Sequence, residues 1–397
     1  MRQYWLFLVN CLCNVLFCTM DQSFSNGIDI DSVIVMGCFM PIEWLGTQFM
    51  RLGSFGYQTY QKYEKNCMLL AVASGIVTGL LCFTLADQIS AIFDISEAQH
   101  ALLADVLRLY GACMPMEAAS RFVQTYITYK CYNRLAILTN VGTYFIIIGT
   151  DWLSVKLGFG LYGIIAATEL SWLVYLIVVV CACKFWRTED KIDRHVLSKC
   201  FWHAKDLLIS RSLTRVAHIF MTRYVTALGE FDYAIYSVCM GAATLSSEVR
   251  DATTDYALVK LRDSVDRKRD WRHIIKRLYP ISVVIEISLA YAALLFMHGK
   301  VALADCIWFL PFLKVTTLCY PVYDSLFSYF MCEHNTKVVH VKSACCCFWK
   351  IPMAVIVSLT MNNLIAFAAL SFMDCLSGML CYLWLYKRDG RTKLKGV

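Results

Sequence analysis

The stretch LLISRSLTRVAHIFMTRYV, Leu207 to Val225, is apolar enough to be a membrane helix, yet it carries Arg211, Arg215, His218 and Arg223. At 100° per residue, Arg211, Arg215, His218 and Thr222 fall within about 60° of one another. They form one basic stripe, while Arg223 lies off it, close enough to the helix end to snorkel to water. A span with such a stripe needs acidic partners elsewhere in the chain.

The composition agrees with a membrane setting. Of 397 residues, 58% are hydrophobic, 14% aromatic and only 17% charged, and the mean hydropathy is +0.54, too apolar for a soluble domain of this length. The formal charge of +7 does not indicate a nucleic-acid partner. Its lysines and arginines sit in short clusters between apolar runs, as membrane topology requires. The 20 cysteines lie mostly inside apolar runs such as NCLCNVLFC and VVCACKF, where Cys behaves as a small hydrophobe. No CxxC pair occurs, and Cys345, Cys346 and Cys347 point three ways on a helix, so no metal site is expected.

Twelve segments are long enough to cross a bilayer: windows 3–21, 33–55, 67–92, 101–128, 136–157, 161–183, 205–227, 233–258, 278–298, 303–330, 339–359 and 363–386. The first is read as a retained helix rather than a signal peptide, because CTMDQSF lacks a small-residue cleavage site. Connections after even-numbered spans carry the basic charge, from Lys62 and Lys65 to the tail YKRDGRTKLK, whereas those after odd-numbered spans carry little. The positive-inside rule then puts both termini in the cytoplasm of a multi-pass protein, with the cell membrane as its expected location. A shift of 202 residues superposes Gly27 on Gly229 and Asn133 on Asn335, after the first and fourth spans of each half. The expected organisation is an N-terminal six-helix lobe, 1–190, a cytoplasmic linker, 191–204, and a C-terminal six-helix lobe, 205–397. Such duplicated units are common in secondary transporters.

With these features in place, DQSFSNGIDIDSVIVMG (21–37), TNVGTYFIIIGTDWLSVKLGFGLYGIIAATEL (139–170) and TRYVTALGEFDYAIYSV (222–238) resemble the multidrug and toxic compound extrusion (MATE) family. That family belongs to a superfamily that also contains flippases of lipid-linked oligosaccharides. The resemblance covers essentially the whole chain. It implies an all-α polytopic membrane protein whose two lobes alternate between inward and outward openings. It further implies export of amphipathic, often cationic compounds by antiport with protons or sodium and no bound cofactor. By position, Asp21 matches the family's acidic residue at the end of the first helix and Asp151 the one in the fifth. Two carboxylates sharing a dry pocket would suit proton uptake and release.

Other charges within spans are functional candidates in their own right. Glu117 stands four residues before Arg121, a spacing that lets them pair on one helix face. Glu169 could neutralise Arg121 or bind a cation or proton. Glu248, Asp251 and Asp255 form an acidic stripe in the eighth span. The short LGEFD turn should make spans seven and eight neighbours, setting Arg215 near Glu248 and Arg211 near Asp251 or Asp255. Asp324, with Lys314 above it, completes the C-terminal set. Asp21, Asp151, Glu169, Glu248 and Asp324 are thus the candidate ion and cation sites. Glu117, Arg121, Arg211, Arg215, Asp251 and Asp255 form the candidate ion-pair network.

No HExxH, P-loop, serine elbow or dinucleotide fingerprint occurs, so the reading is non-enzymatic. Two functions remain open: antiport of a small organic cation, or flipping of an anionic, lipid-linked or polysaccharide-type substrate held by Arg121, Arg211 and Arg215. The expected partners are the small-molecule substrate and membrane lipid, with a monomer sufficient.

Overall fold

The structure is a computed structural model describing residues 4, 8 and 22–394 except 61, 131, 189, 263, 334–336 and 362; at 59, 133, 137, 248, 251, 255, 337, 339–343, 345, 346, 348 and 389–394 only the backbone is described. The described secondary structure is helical. After residues 22–28, which are helical, come α1 (Ile30–Met50), α2 (Leu52–Tyr60), α3 (Glu64–Thr84), α4 (Ala86–Ser90), α5 (Glu97–Tyr129), α6 (Asn133–Lys156) and α7 (Gly160–Cys183). The second half comprises α8 (Arg194–Thr226), α9 (Glu230–Ser246), α10 (Glu248–Arg262), α11 (Arg267–Met297), α12 (Leu303–Lys314), α13 (Tyr320–Cys332), α14 (Lys337–Thr360) and α15 (Leu364–Leu394).

Every predicted window after the first coincides with one of these helices or a consecutive pair. Seven of the described segments are long and apolar enough to cross a membrane. Window four (α5) and window seven (α8) carry several charges each, and window eight is divided into α9 and a charged α10. Windows two and eight break at equivalent places, Arg51 and Ser247, and window ten breaks at the 3-10 turn Val315–Leu318. α8 begins at Arg194, so residues 194–204, expected as linker, are helical.

Local chemistry sets the helix starts. The side chain of Asp29 accepts from the Ser32 amide at 2.7 Å, Ser96 and Gln99 form a reciprocal capping box, and Asp193 and Asp266 cap α8 and α11. Each satisfies amides that a helix start leaves unpaired. Gly229, at φ 111, makes the left-handed turn into α9, a conformation that a side chain would disfavour. Its repeat partner Gly27 instead lies within helical residues 22–28.

The main helix pairs recur six spans on. Spans three and four pack together, as do nine and ten; four packs on six and ten on twelve; two packs on four and eight on ten. The connections gather at two faces. Lys130 meets Glu64 at 2.9 Å and the Asp193 amide donates to Asn66 at 2.8 Å on the lysine-rich face, called here the basic face. At the opposite face Asn26 donates to the Met297 carbonyl at 2.7 Å.

The cores show how the halves meet. One apolar cluster runs through both halves near the opposite face, from Val33, Phe39 and Leu107 to Ile235, Phe309 and Phe367. Toward the basic face the cores are separate, one around Tyr57, Phe122 and Tyr175 and one around Tyr256, Trp271 and Tyr382. The first of these takes in Cys200 of α8, and the second takes in Tyr4 and Leu8 of the first span. Lipid-facing rows such as Ile76, Val77, Leu80 and Leu81 of α3 are exposed, as a protein solvated by hydrocarbon requires.

Candidate functional site

Three charged clusters lie inside the helix bundle. In the first, Arg121 donates through Nε at 2.5 Å to Oε1 of Glu117, one turn earlier on α5, and an Nη contacts the same oxygen. Glu43 of α1 approaches the guanidinium at 3.9 Å, and the Trp172 ring of α7 lies 5.0 Å from it. Glu117 is 1% exposed and Glu169, three residues before Trp172, 5%. Tyr110 lies within electrostatic reach of Glu117, Glu43, Arg121 and Glu169, which places the three carboxylates and one arginine in one neighbourhood. The Oε2 atom of Glu117 is buried and has no hydrogen-bond partner among the described residues.

The second cluster is an ion pair closed off in the C-terminal half. Lys314 Nζ meets Glu286 Oε1 at 2.5 Å and Ser246 Oγ at 3.0 Å, and Thr317 donates to the same carboxylate oxygen at 3.0 Å. Glu286 is fully buried and Lys314 5% exposed. An isolated charge there would be prohibitively costly, so the pair is mutually dependent.

The third lies on the seam between halves. α8 packs along α14 and, across the halves, along α1 and α2; its packing against α9 is slight. The expectation that a short turn makes spans seven and eight close neighbours is therefore not met. Helices this long follow the apolar face they must bury, and the short turn at 227–229 fixes only their ends. The Arg215 guanidinium stands 5.1 Å from the Trp44 ring of α1. That of Arg211 lies 5.1 Å from Phe55 of α2 and 6.0 Å from Phe327 of α13. Both arginines thus reach aromatic rings across the seam, contacts worth about 0.5 to 2 kcal/mol each. His218 faces Trp44 edge-on at 6.2 Å and Lys350 of α14 at 3.2 Å, and Lys350 pairs with Asp374 of α15 at 3.0 Å. Gly37, Met40, Trp44, His218, Thr222 and Ser237 line a cavity of about 10 Å³ here, room for roughly one water.

The remaining candidates are dispersed. Asp151 is fully buried on α6, and Asp324 is half-buried on α13, within electrostatic reach of Cys375. Arg223 is exposed near the end of α8. Asp21 lies outside the described residues, as do the side chains of Glu248, Asp251 and Asp255, whose backbone is helical in α10. Arg250 of that helix stacks on Tyr320 at 3.7 Å. Sequence reasoning missed Glu43, Glu286, Lys350 and Asp374. A lone carboxylate in VVIEISLA and a lone lysine in FWKIPMAV are signals that intramembrane charge is paired, although neither identifies its partner. Among the described residues no group of His, Cys, Asp and Glu could hold a metal ion.

No family model and no curated protein matches this chain. Solved structures do. An inward-facing multidrug resistance MATE transporter of the MOP superfamily aligns at TM-score 0.74 with 16% identity, over 99% of each chain. A MOP superfamily transporter from Pyrococcus furiosus, described as having a binding pocket of reversed polarity that suggests a different function, aligns at 0.78 with 15% identity over 99% of this chain and 95% of its own. A MATE transporter from Vibrio cholerae aligns at 0.74 with 12% identity over 98% and 96%. The chain has the fold of these twelve-helix membrane transporters.

Proposed function

We propose that the chain is a secondary active transporter that exports amphipathic, cationic small molecules by antiport with protons or sodium through alternating access. The observation that carries this reading is the gathering of carboxylates near one arginine inside the N-terminal half, among the described residues. Glu117 and Glu43 meet one cation, Arg121, with Trp172 and Tyr110 beside them and Glu169 within electrostatic reach of Tyr110. Such a site lowers its free energy by taking up a proton or an organic cation, and its aromatic walls suit a flat, charged substrate. The shared core at one face and separate cores at the other fit two lobes, 1–190 and 205–397, that pivot about a closed end. In this reading the basic face is cytoplasmic, the protein is a monomer in the cell membrane, and Asp21, Asp151, Glu169, Glu248 and Asp324 supply ion or substrate contacts.

The test is uptake of ethidium into proteoliposomes under separately imposed pH and sodium gradients. One gradient should drive accumulation, and Glu169→Gln should lower it about tenfold, as loss of a charge-assisted contact implies. Ethidium uptake indifferent to both gradients would overturn antiport. A second reading, an anionic or lipid-linked substrate, is favoured by Arg211 and Arg215 reaching the seam and by the likeness to a transporter of reversed pocket polarity. A negatively charged probe transported in place of ethidium would support it.

A further inference from the structure

Lys350, His218 and Asp374 come from three helices, α14, α8 and α15, and meet behind the seam. Lys350 is 3% exposed. Its Nζ lies 3.0 Å from Oδ2 of Asp374 and 3.2 Å from Nε2 of His218. An ammonium group donates and cannot accept. The contact with His218 therefore requires a lone pair on Nε2, which means a neutral imidazole carrying its proton on Nδ1. His218 also lines the seam cavity, with Trp44, Met40, Tyr236 and Ser237. His218 consequently touches both a buried ion pair and the place where the two halves meet.

The described charged and titratable groups around it come from several helices. Lys350 and Cys347 come from α14, and Asp374 from α15 beyond them. Tyr236 of α9 lines the cavity and lies within reach of Lys350. α1 presents the Trp44 ring, whose neighbour Glu43 is turned to Arg121. Arg215, three residues before His218, stands over Trp44 too. α2 and α3 meet α8 nearer its start, at Ala204 and Cys200. With His218 neutral, the charges of Lys350 and Asp374 cancel.

We propose that His218 is a proton-carrying site of this chain. Its Nε2 lone pair takes a proton from water in the seam and forms an N–H bond. Lys350 then loses the His218 acceptor and keeps its pairing with Asp374. The three groups pass from net charge zero to +1 beside Arg215, and release of the proton to water reverses each step. The added charge opposes an organic cation in the seam, and such a cation opposes protonation. Mutual exclusion of this kind is what exchange of one cation for another requires. The inference rests on the transporter reading for its consequence, but the protonation itself has an independent readout.

That readout is the emission of Trp44, since imidazolium against an indole edge quenches it. Purified full-length protein in detergent is titrated from about pH 8 to pH 5, the range in which histidine changes charge, and Trp44→Phe is used to isolate the Trp44 contribution. A sigmoidal loss of emission is expected in the wild type and absent in His218→Gln, whose amide oxygen can still accept from Lys350 and so keeps the fold. In Lys350→Gln the midpoint should move to higher pH, because a cation no longer opposes the proton. In proteoliposomes His218→Gln should lose about tenfold of pH-driven ethidium accumulation. An identical Trp44 titration in His218→Gln, or none in the wild type, overturns the proposal. A Trp44 titration that disappears in His218→Gln, in a protein that moves no ethidium, retains His218 as the proton site and overturns the cation-transport reading instead.

Discussion

The two halves of the molecule share a packing plan and differ in charge. In the N-terminal half, described carboxylates outnumber cations around Arg121, with Glu117, Glu43 and Glu169 close by. On the C-terminal side of the seam the described groups include the cations Arg211, Arg215 and Lys350, the last paired with Asp374. Lys314 and Glu286 neutralise one another deeper in that half. Duplication of a helical unit fixes which spans touch, because apolar faces and small residues repeat. It leaves each half free to place its own charges, which act over longer range and need only a partner within a few ångströms. Under the proposed function a charged substrate would meet an acid-rich wall, formed by the described groups of one half, and a basic wall, formed by those of the other.

The deepest test of this contrast is the closed pair in the C-terminal half. Lys314→Met should leave the Glu286 charge buried and uncompensated, costing about 3 to 5 kcal/mol. Thermal unfolding in detergent, followed by size-exclusion profile, should show a large fall in midpoint. The double variant Lys314→Met with Glu286→Leu should recover most of it, since an apolar pair of similar volume replaces a neutral unit. A single variant as stable as the wild type would show that the pair is no brace.

Arg121 offers the opposite asymmetry. Arg121→Gln removes the cation that Glu117 and Glu43 meet and should cost about 3 kcal/mol, the scale of a broken buried ion pair. Glu117→Gln should cost nearer 1 kcal/mol, because Glu43 at 3.9 Å can close on the guanidinium and the amide can still accept a hydrogen bond. Equal losses, measured by the same unfolding midpoint, would remove the basis for calling the N-terminal wall acid-rich.

These two clusters also mark how far the sequence could be read. Glu117 and Arg121 were legible as a pair because four residues on a helix is a local relation. Lys314 and Glu286 are separated by 28 residues and Lys350 and His218 by 132. A lone charge in an apolar run announces that a partner exists without saying which helix brings it. The windows after the first were legible for the same local reason, since apolar length alone defines a span. The breaks at Arg51 and Ser247 were not, as nothing in QFMRLGS or TLSSEVR departs far from helical propensity. Nor was the place of α8: the turn to α9 suggested an antiparallel neighbour, whereas the helix buries itself against α14, α1 and α2.

The seam itself can be pried apart from its apolar end. Gly37 of α1 faces α9 so closely that a methyl group there would stand 2.7 Å from Cβ of Ser237 and 2.9 Å from the Tyr233 hydroxyl oxygen, while Ser237 donates to the Val33 carbonyl at 3.0 Å. Gly37→Ala should cost about 1 to 3 kcal/mol by overpacking. It should also raise labelling of a cysteine placed at Thr222, which lines the adjoining cavity. Unchanged labelling with a full loss of stability would mean that the contact only packs the core.

The change that bears most directly on the two walls is at Arg215. Its guanidinium rests on Trp44, so Arg215→Gln should lose about 0.5 to 2 kcal/mol of cation–π attraction, with some recovered as the amide packs on the ring. The unfolding midpoint, measured beside transport, separates a change of charge from a change of fold. If organic cations are the substrate, removing a positive charge from the basic wall relieves repulsion, and ethidium uptake should hold or rise. If the substrate is anionic, the same variant removes an attractive contact, and uptake of a negatively charged probe should fall several-fold, with Arg215→Lys restoring only part because an ammonium lacks the guanidinium's paired donors. The sign of that single change, read on one variant with two probes, separates a basic wall that repels the substrate from one that binds it.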